Sequence, residues 1–270
     1  MMSRSNSHRS DASSLWRQLA FALAAAAMFF GGGATAQDSG LEAAFLAGET
    51  IDCPGCDLVG VDLRGRDLSG ANLSGVDLTS AILHRAILAG ANLDGAILHN
   101  TNFNVADLKR ATLVGADLTE ALLYQTDAAG ADLSRAILDR TRSQYARFTG
   151  ATMVGVHWED ATAVATNLAG ADLTEAVLVG SYFPEASFQG ATLSGADLSG
   201  GNYYRAVFRR ADLTGTLAID VYFLETDFSD AILRETNFTG ANMLRARMLG
   251  TDQTGAIFTG ATKPDGTIGE

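Results

Sequence analysis

The residues with the most chemistry to offer are Cys53 and Cys56, the only cysteines in the chain, in the run Cys53-Pro54-Gly55-Cys56. A dithiol at this spacing can exchange electrons when it sits at a strand–helix junction, and no such junction surrounds it. The same pair reads as a structural disulfide or as two buried thiols. His84, His99 and His157 are too scattered to complete a four-ligand metal set with them. There is no nucleophile elbow, phosphate-binding loop or dinucleotide fingerprint, and Gly31-Gly32-Gly33 falls in the N-terminal segment. Asp62, Asp67, Asp77, Asp107 and Asp117 recur at multiples of five, which marks a structural duty rather than an acid–base pair. The expectation is a chain without catalysis, cofactor or metal.

That regularity belongs to a period running through most of the sequence. Written in fives, the chain reads VDLRG RDLSG ANLSG, later ATLSG ADLSG, and finally TNFTG ANMLR. A large apolar residue falls at every fifth position, as at Leu58, Leu63, Leu68, Leu118, Leu173, Leu213, Phe238 and Phe258. Two residues before it stands a small one, most often Ala, as at Ala71, Ala91, Ala131 and Ala211. No insertion shifts the frame. Five matches neither the helical period of 3.6 nor the strand period of two, so the chain must turn in every unit. Asp, Asn or Thr before the large residue, and Gly two after it, supply the chemistry of those turns. One large and one small side chain per unit point inward, which gives a narrow interior.

The motif A(D/N)LxG, as in Ala196-Asp197-Leu198-Ser199-Gly200, resembles the pentapeptide-repeat family over about Ile51 to Gly260. The resemblance implies an all-β fold, a right-handed quadrilateral β-helix with four units per coil. At a strand spacing of ~4.8 Å, ten coils would make a rod of roughly 50 Å. Columns of residues twenty apart then line the interior: Leu93, Leu113, Leu133, Met153 and onward in one, Phe148, Leu168, Phe188, Phe208 and Phe228 in another. Ser143 and Ala163 leave space at large-residue positions, which Trp158 is expected to fill. Openings similar to Cys53-Pro54-Gly55-Cys56-Asp57-Leu58 occur in secreted members of the family, which implies a structural role for the pair, as a disulfide or as buried thiols.

Residues 1–36 read as a signal peptide. Arg4, Arg9 and Arg17 precede an apolar run from Leu19 to Phe30, and Ala34-Thr35-Ala36 is a cleavage motif. The run is too short for a membrane span of about 20 residues. Residues 37–50 read as a linker and capping helix, with Leu41, Phe45 and Leu46 placed to cover the first coil; residues 51–260 are the repeats and 261–270 a tail. Beyond Phe258 no cap is legible, and Lys263-Pro264-Asp265-Gly266 reads as a turn. Of 31 acids and 19 bases, the leader removes one acid and three bases, so the mature chain carries −14. That balance disfavours nucleic acid and anionic lipid, and no membrane insertion of the mature chain is expected.

One face departs from the motif. Its units are centred on Leu83, Phe103, Leu123, Ser143, Ala163, Phe183, Tyr203, Phe223 and Met243, and all six tyrosines of the protein fall on it. Tyr203 should point inward. Tyr124, Tyr145, Tyr182, Tyr204 and Tyr222 should point out or sit at corners, with Pro184, Leu224 and Leu244 beside them. Glu185, Arg205, Glu225 and Arg245 should form an alternating ladder along one edge. Such a face either tolerates variation or binds a protein partner or a second copy. The expected function is an extracytoplasmic scaffold in a secreted or periplasmic protein. The alternative, borrowed from acidic relatives that imitate DNA and bind DNA gyrase, fits the charge and shape but not an exported chain.

Overall fold

The computed structural model describes residues 36–270, of which Asp38–Glu270 form one compact unit. The leader expected over residues 1–36 lies, apart from Ala36, outside the described residues. One helix, α1 (Ala36–Ala47), is followed by a continuous run of five-residue turns. Parallel bridges join residues twenty apart, from Asp57 with Asp77 to Asn242 with Thr262. Four units therefore make one coil, and each coil pairs with the next along four faces.

A single unit shows why the sequence takes this form. In Ala91–Gly95 all five amides are bonded. Ala91 donates to the Leu88 carbonyl across the turn, and Asn92 to Ala71 in the coil before. Leu93 donates to Thr112 and Gly95 to Val114, both in the coil after. The remaining amide, of Asp94, is taken by the Asn92 side chain at 2.9 Å. That is the duty of the recurrent Asp and Asn: they accept the one amide that no carbonyl reaches. Where the position holds Thr112, Leu122 or His157, the orphan amides of Val114, Tyr124 and Glu159 are taken instead by Asp94, Asn104 and Asp139, one coil back. The third turn residue is left-handed in every unit from Gly55 to Gly260, whether it is glycine (Gly95, φ 64°) or not (Arg205, φ 55°). A positive φ there belongs to the turn itself, so non-glycine residues adopt it at a cost of about 1 kcal/mol.

The interior is dry. Leu93, Leu113, Leu173, Phe183, Phe208 and Phe228 are fully buried, and the aromatic columns stack, with Phe188 and Phe208 centroids 4.5 Å apart. Polar residues at the small position follow one rule: Thr101, Thr126, Thr166, Thr216, Thr226 and Thr236 each donate a hydroxyl to a core-residue carbonyl 23 residues earlier. Thr141 breaks it. Its hydroxyl donates to Leu138 and accepts the Trp158 indole N–H at 2.8 Å. The buried Trp158 ring packs edge-on to Phe148 and Phe183, and Ser143 and Ala163 are fully buried as well. Gly201 stands where Ala is usual because a Cβ there would meet the Tyr203 ring at 2.7 Å.

Both ends are modified. Helix α1 closes in a Schellman motif, Glu49 N–H to Ala44 and Gly48 N–H to Phe45, with Gly48 at φ 76°. Phe45 is fully buried and carries the Arg66 guanidinium 4.1 Å over its ring. The Glu42 carboxylate accepts the Asp57 amide, which has no preceding coil to bond. The C-terminus differs from its sequence reading. Residues 261–265 continue the coil, Met243 and Arg245 donating to Thr262 and Pro264. The chain then reverses through Lys263–Gly266, and Ile268 pairs antiparallel with Thr262. This fold-back covers one face only: Leu249 is 82% exposed and Phe258 half-buried.

The register is directly testable. Leu113→Asp places a charge in the dry interior and should destabilise the surrounding coils by about 3 kcal/mol or more. Val114→Asp, one residue on at a half-buried turn position, should stay within about 0.5 kcal/mol of the parent. Chemical denaturation followed by circular dichroism separates them, and equal losses would refute the inward and outward assignment.

Candidate interaction face

Outward side chains are held by positions whose backbone is already determined, so the departures from the motif on one face line up in vertical columns. On the tyrosine-bearing face the residue before the core position runs Thr162, Tyr182, Asn202, Tyr222, Asn242, Thr262, bridged in sequence. Tyr182 is 46% and Tyr222 36% exposed. Asn202 and Asn242 behave differently, folding their side chains down to accept the amides of Tyr204 and Leu244 at 3.0 and 3.1 Å. The column is therefore a row of raised rings separated by low amides.

Other members of the predicted set are placed as follows. Tyr124 and Tyr145 sit at turn positions, both exposed, and meet edge-on with centroids 5.8 Å apart. Tyr204 is half-buried beneath Arg205, whose guanidinium lies 4.8 Å from the ring centroid. Leu224 and Leu244 are half-buried. Pro184 is buried rather than outward, a correction to its expected place beside the tyrosines. Tyr203 is inward, stacked on Phe183 at 5.6 Å, and its buried hydroxyl has no hydrogen-bond partner among the described residues. Burial pushes that phenol far above its usual range, with Asp197 adding to the shift, so it stays protonated.

The charge ladder follows the corner after these columns. Arg205 Nε donates to Glu225 at 2.8 Å, and Arg245 reaches the same carboxylate at 3.4 Å. These bonds, Arg205 first, hold Glu225 below the usual carboxylate range. Arg205 is raised chiefly by its bond to Glu225, and Glu185 adds to this through its charge. As exposed pairs they contribute little to stability. Their consequence is a locally neutral edge on an acidic protein.

Cys53 and Cys56 form a disulfide with Cα atoms 5.5 Å apart, both residues buried. The bond spans the first turn, from a large-residue position to the next small one. His99 pairs with Asp117 at 2.7 Å. No group of three or more His, Cys, Asp or Glu among the described residues could hold a metal ion.

A family model for pentapeptide repeats matches the chain in eight overlapping copies from residue 56 to residue 260. No curated protein matches it. Among solved structures, the chain is similar to HetL, a pentapeptide repeat protein involved in heterocyst differentiation regulation from the cyanobacterium Nostoc sp. strain PCC 7120. Identity is 28% over 83% of this chain and 96% of that one, with a TM-score of 0.35. It is also similar to the pentapeptide repeat protein Rfr23 from the cyanobacterium Cyanothece 51142, at 24% identity over 44% of this chain and 94% of that one, TM-score 0.42. QnrB1, a plasmid-mediated fluoroquinolone resistance protein, is 16% identical over 74% and 90%, TM-score 0.39.

The disulfide closes a very small loop, so its entropic contribution should fall below the ~3 kcal/mol of a fifteen-residue loop. The double variant Cys53→Ser, Cys56→Ala should keep the distant coils folded by circular dichroism, and neither protein should reduce insulin. Rapid insulin reduction by the parent, lost in the variant, would make the pair a redox site.

Proposed function

The chain belongs to the pentapeptide-repeat family, and on that premise we propose that it is a non-catalytic scaffold working outside the cytoplasm, a right-handed β-helix whose tyrosine face engages a protein partner or a second copy. Pentapeptide-repeat proteins are in general structural or interaction proteins. The observation that carries the reading is the confinement of every tyrosine to one face, with five of the six turned wholly or partly outward. Exposed aromatic rings with arginine beside them are what recognition surfaces favour. The −14 charge of the mature chain argues against nucleic acid as the partner. No helix among the described residues is long and apolar enough to cross a membrane.

The compartment rests on the leader. Intact mass of the native protein should give a chain beginning at Gln37, recovered outside the cytoplasm. A chain retaining residues 1–36 in the cytosol would overturn this and favour the DNA-imitating alternative.

For the face itself, a photo-crosslinking residue placed in turn at 182, 204 and 222 should trap a partner or a second copy. The same probe at Thr152, Asp172 and Thr192, on the opposite face, should trap little. Equal yields from the two faces, or more from the opposite one, would remove the tyrosine face as the contact surface.

A further inference from the structure

The left-handed residue that ends each unit stands at a corner of the coil, and the residue two further on opens the next face. Most corners hold glycine or another uncharged residue. Among the left-handed corners of the described residues, three or more charges follow one another up an edge in two places. One run is Glu120, Arg140, Asp160, and the other, at the next corner of the coil, is Glu185, Arg205, Glu225, Arg245. Beside the first stand Leu122, Arg142 and Thr162, bridged in succession, and beside the second Val207, Asp227 and Arg247, bridged likewise. All of these side chains are exposed or half-buried. The pairs within a run, such as Glu120 with Arg140 at 3.1 Å and Arg205 with Glu225 at 2.8 Å, add little to stability, so the fold does not call for them.

We propose that these two edges are the two halves of one contact between copies of the chain, the edge at 205–247 of one rod docking on the edge at 120–162 of another, with the rods antiparallel. Both edges are built by the same helix and share its rise of ~4.8 Å per coil, so three rungs of one fall opposite three rungs of the other without distortion. Turning one rod end for end sets corner column against corner column. Arg205 then meets Asp160, Glu225 meets Arg140, and Arg245 meets Glu120. In the adjoining column Asp227 meets Arg142, while Val207 and Arg247 meet the uncharged Thr162 and Leu122. Four pairs of opposite charge form, and no like charges are opposed. A slip of one rung would set Arg205 on Arg140 and Glu225 on Glu120, so the charges also fix the register.

Within one chain the two runs stand on different corners and at different heights, so a second copy is needed to bring them together. The contact is heterologous: each copy engages one edge and keeps the other free, and assembly grows past the pair. A mature charge of −14 does not oppose it locally, because one edge brings three bases and two acids and the other two of each. Three rungs, about 10 Å in height at the strand spacing, bury little surface, so the association is weak, with a dissociation constant in the high micromolar range. These rungs contain no tyrosine, and the contact stands or falls independently of the tyrosine face.

In sedimentation equilibrium at concentrations up to about 0.5 mM, the average mass of the mature chain should rise with concentration, and it should return to that of the monomer in about 1 M salt. Glu225→Arg and Arg140→Glu each set like charges together in the middle rung, and each should weaken assembly by about tenfold or more. Mixing the two single variants should restore it, because the altered edges are then opposite in charge. The double variant Glu225→Arg, Arg140→Glu should assemble alone for the same reason. A photo-crosslinking residue at position 122 should trap a second copy through the segment that holds Val207 to Arg247. Unchanged circular dichroism melts establish that each variant is folded. A parent protein that stays monomeric throughout, single variants that assemble as tightly as the parent, mixing without rescue, or crosslinks from position 122 to any other edge would each overturn the contact. Crosslinking through the tyrosine face by a protein that fails these tests would leave the reading of that face standing.

Discussion

Each coil is completed by the coils beside it: of the five amides in a unit, one bonds back to the preceding coil and two bond forward to the next. An isolated coil would leave those groups and its apolar interior exposed, so no coil is stable alone and stability is a nearest-neighbour property. The ends carry the consequences. Helix α1 replaces the missing coil at the N-terminus with a buried Phe45 and the Glu42 carboxylate. At the other end, the antiparallel fold-back of Ile268 satisfies part of one face.

The same ladder leaves little freedom inside and much outside. Most inward threonines at small positions find a carbonyl within the stack, 23 residues back, whereas the buried hydroxyls of Ser143 and Tyr203 find none among the described residues. Larger departures are matched in pairs: Trp158 with Thr141, Tyr203 with Gly201. Outward positions bear no such constraint beyond the acceptor for the turn amide. The tyrosine face can therefore vary without disturbing the core beneath it, where Phe183, Tyr203 and Phe223 remain fully buried. A surface of this kind can specialise in recognition while the fold is maintained by the interior.

Because neighbours in a column are twenty residues apart, contacts on a face are made by residues remote in sequence and adjacent in space. Arg205 and Glu225 pair at 2.8 Å, and Tyr124 meets Tyr145 at 5.8 Å between centroids. The raised and low positions of the tyrosine column come from the same cause. Asn can bond the turn amide and lies down; Tyr cannot, and stands.

The five-residue period by itself determined the register: Leu113 in, Val114 at the turn, Tyr203 inward among outward tyrosines. It did so because a turn in every unit leaves one position for a large side chain. Resemblance to a family, rather than the period, set four units to the coil, and the twenty-residue bridges agree with it. Tertiary structure alone decided what depends on which atoms of adjacent coils meet. Pro184 is buried, and Tyr204 is half-covered by the Arg205 guanidinium, a matter no spacing expresses. Asp94, Asn104 and Asp139 serve amides a whole coil away, where the local rule would have had them serve only their own turns. The C-terminal fold-back was invisible because its antiparallel pairing follows no repeat. Cys53 and Cys56 were open as a disulfide, as free thiols or as a redox pair, and the turn that brings their Cα atoms to 5.5 Å joins them in a disulfide, which no spacing alone expressed.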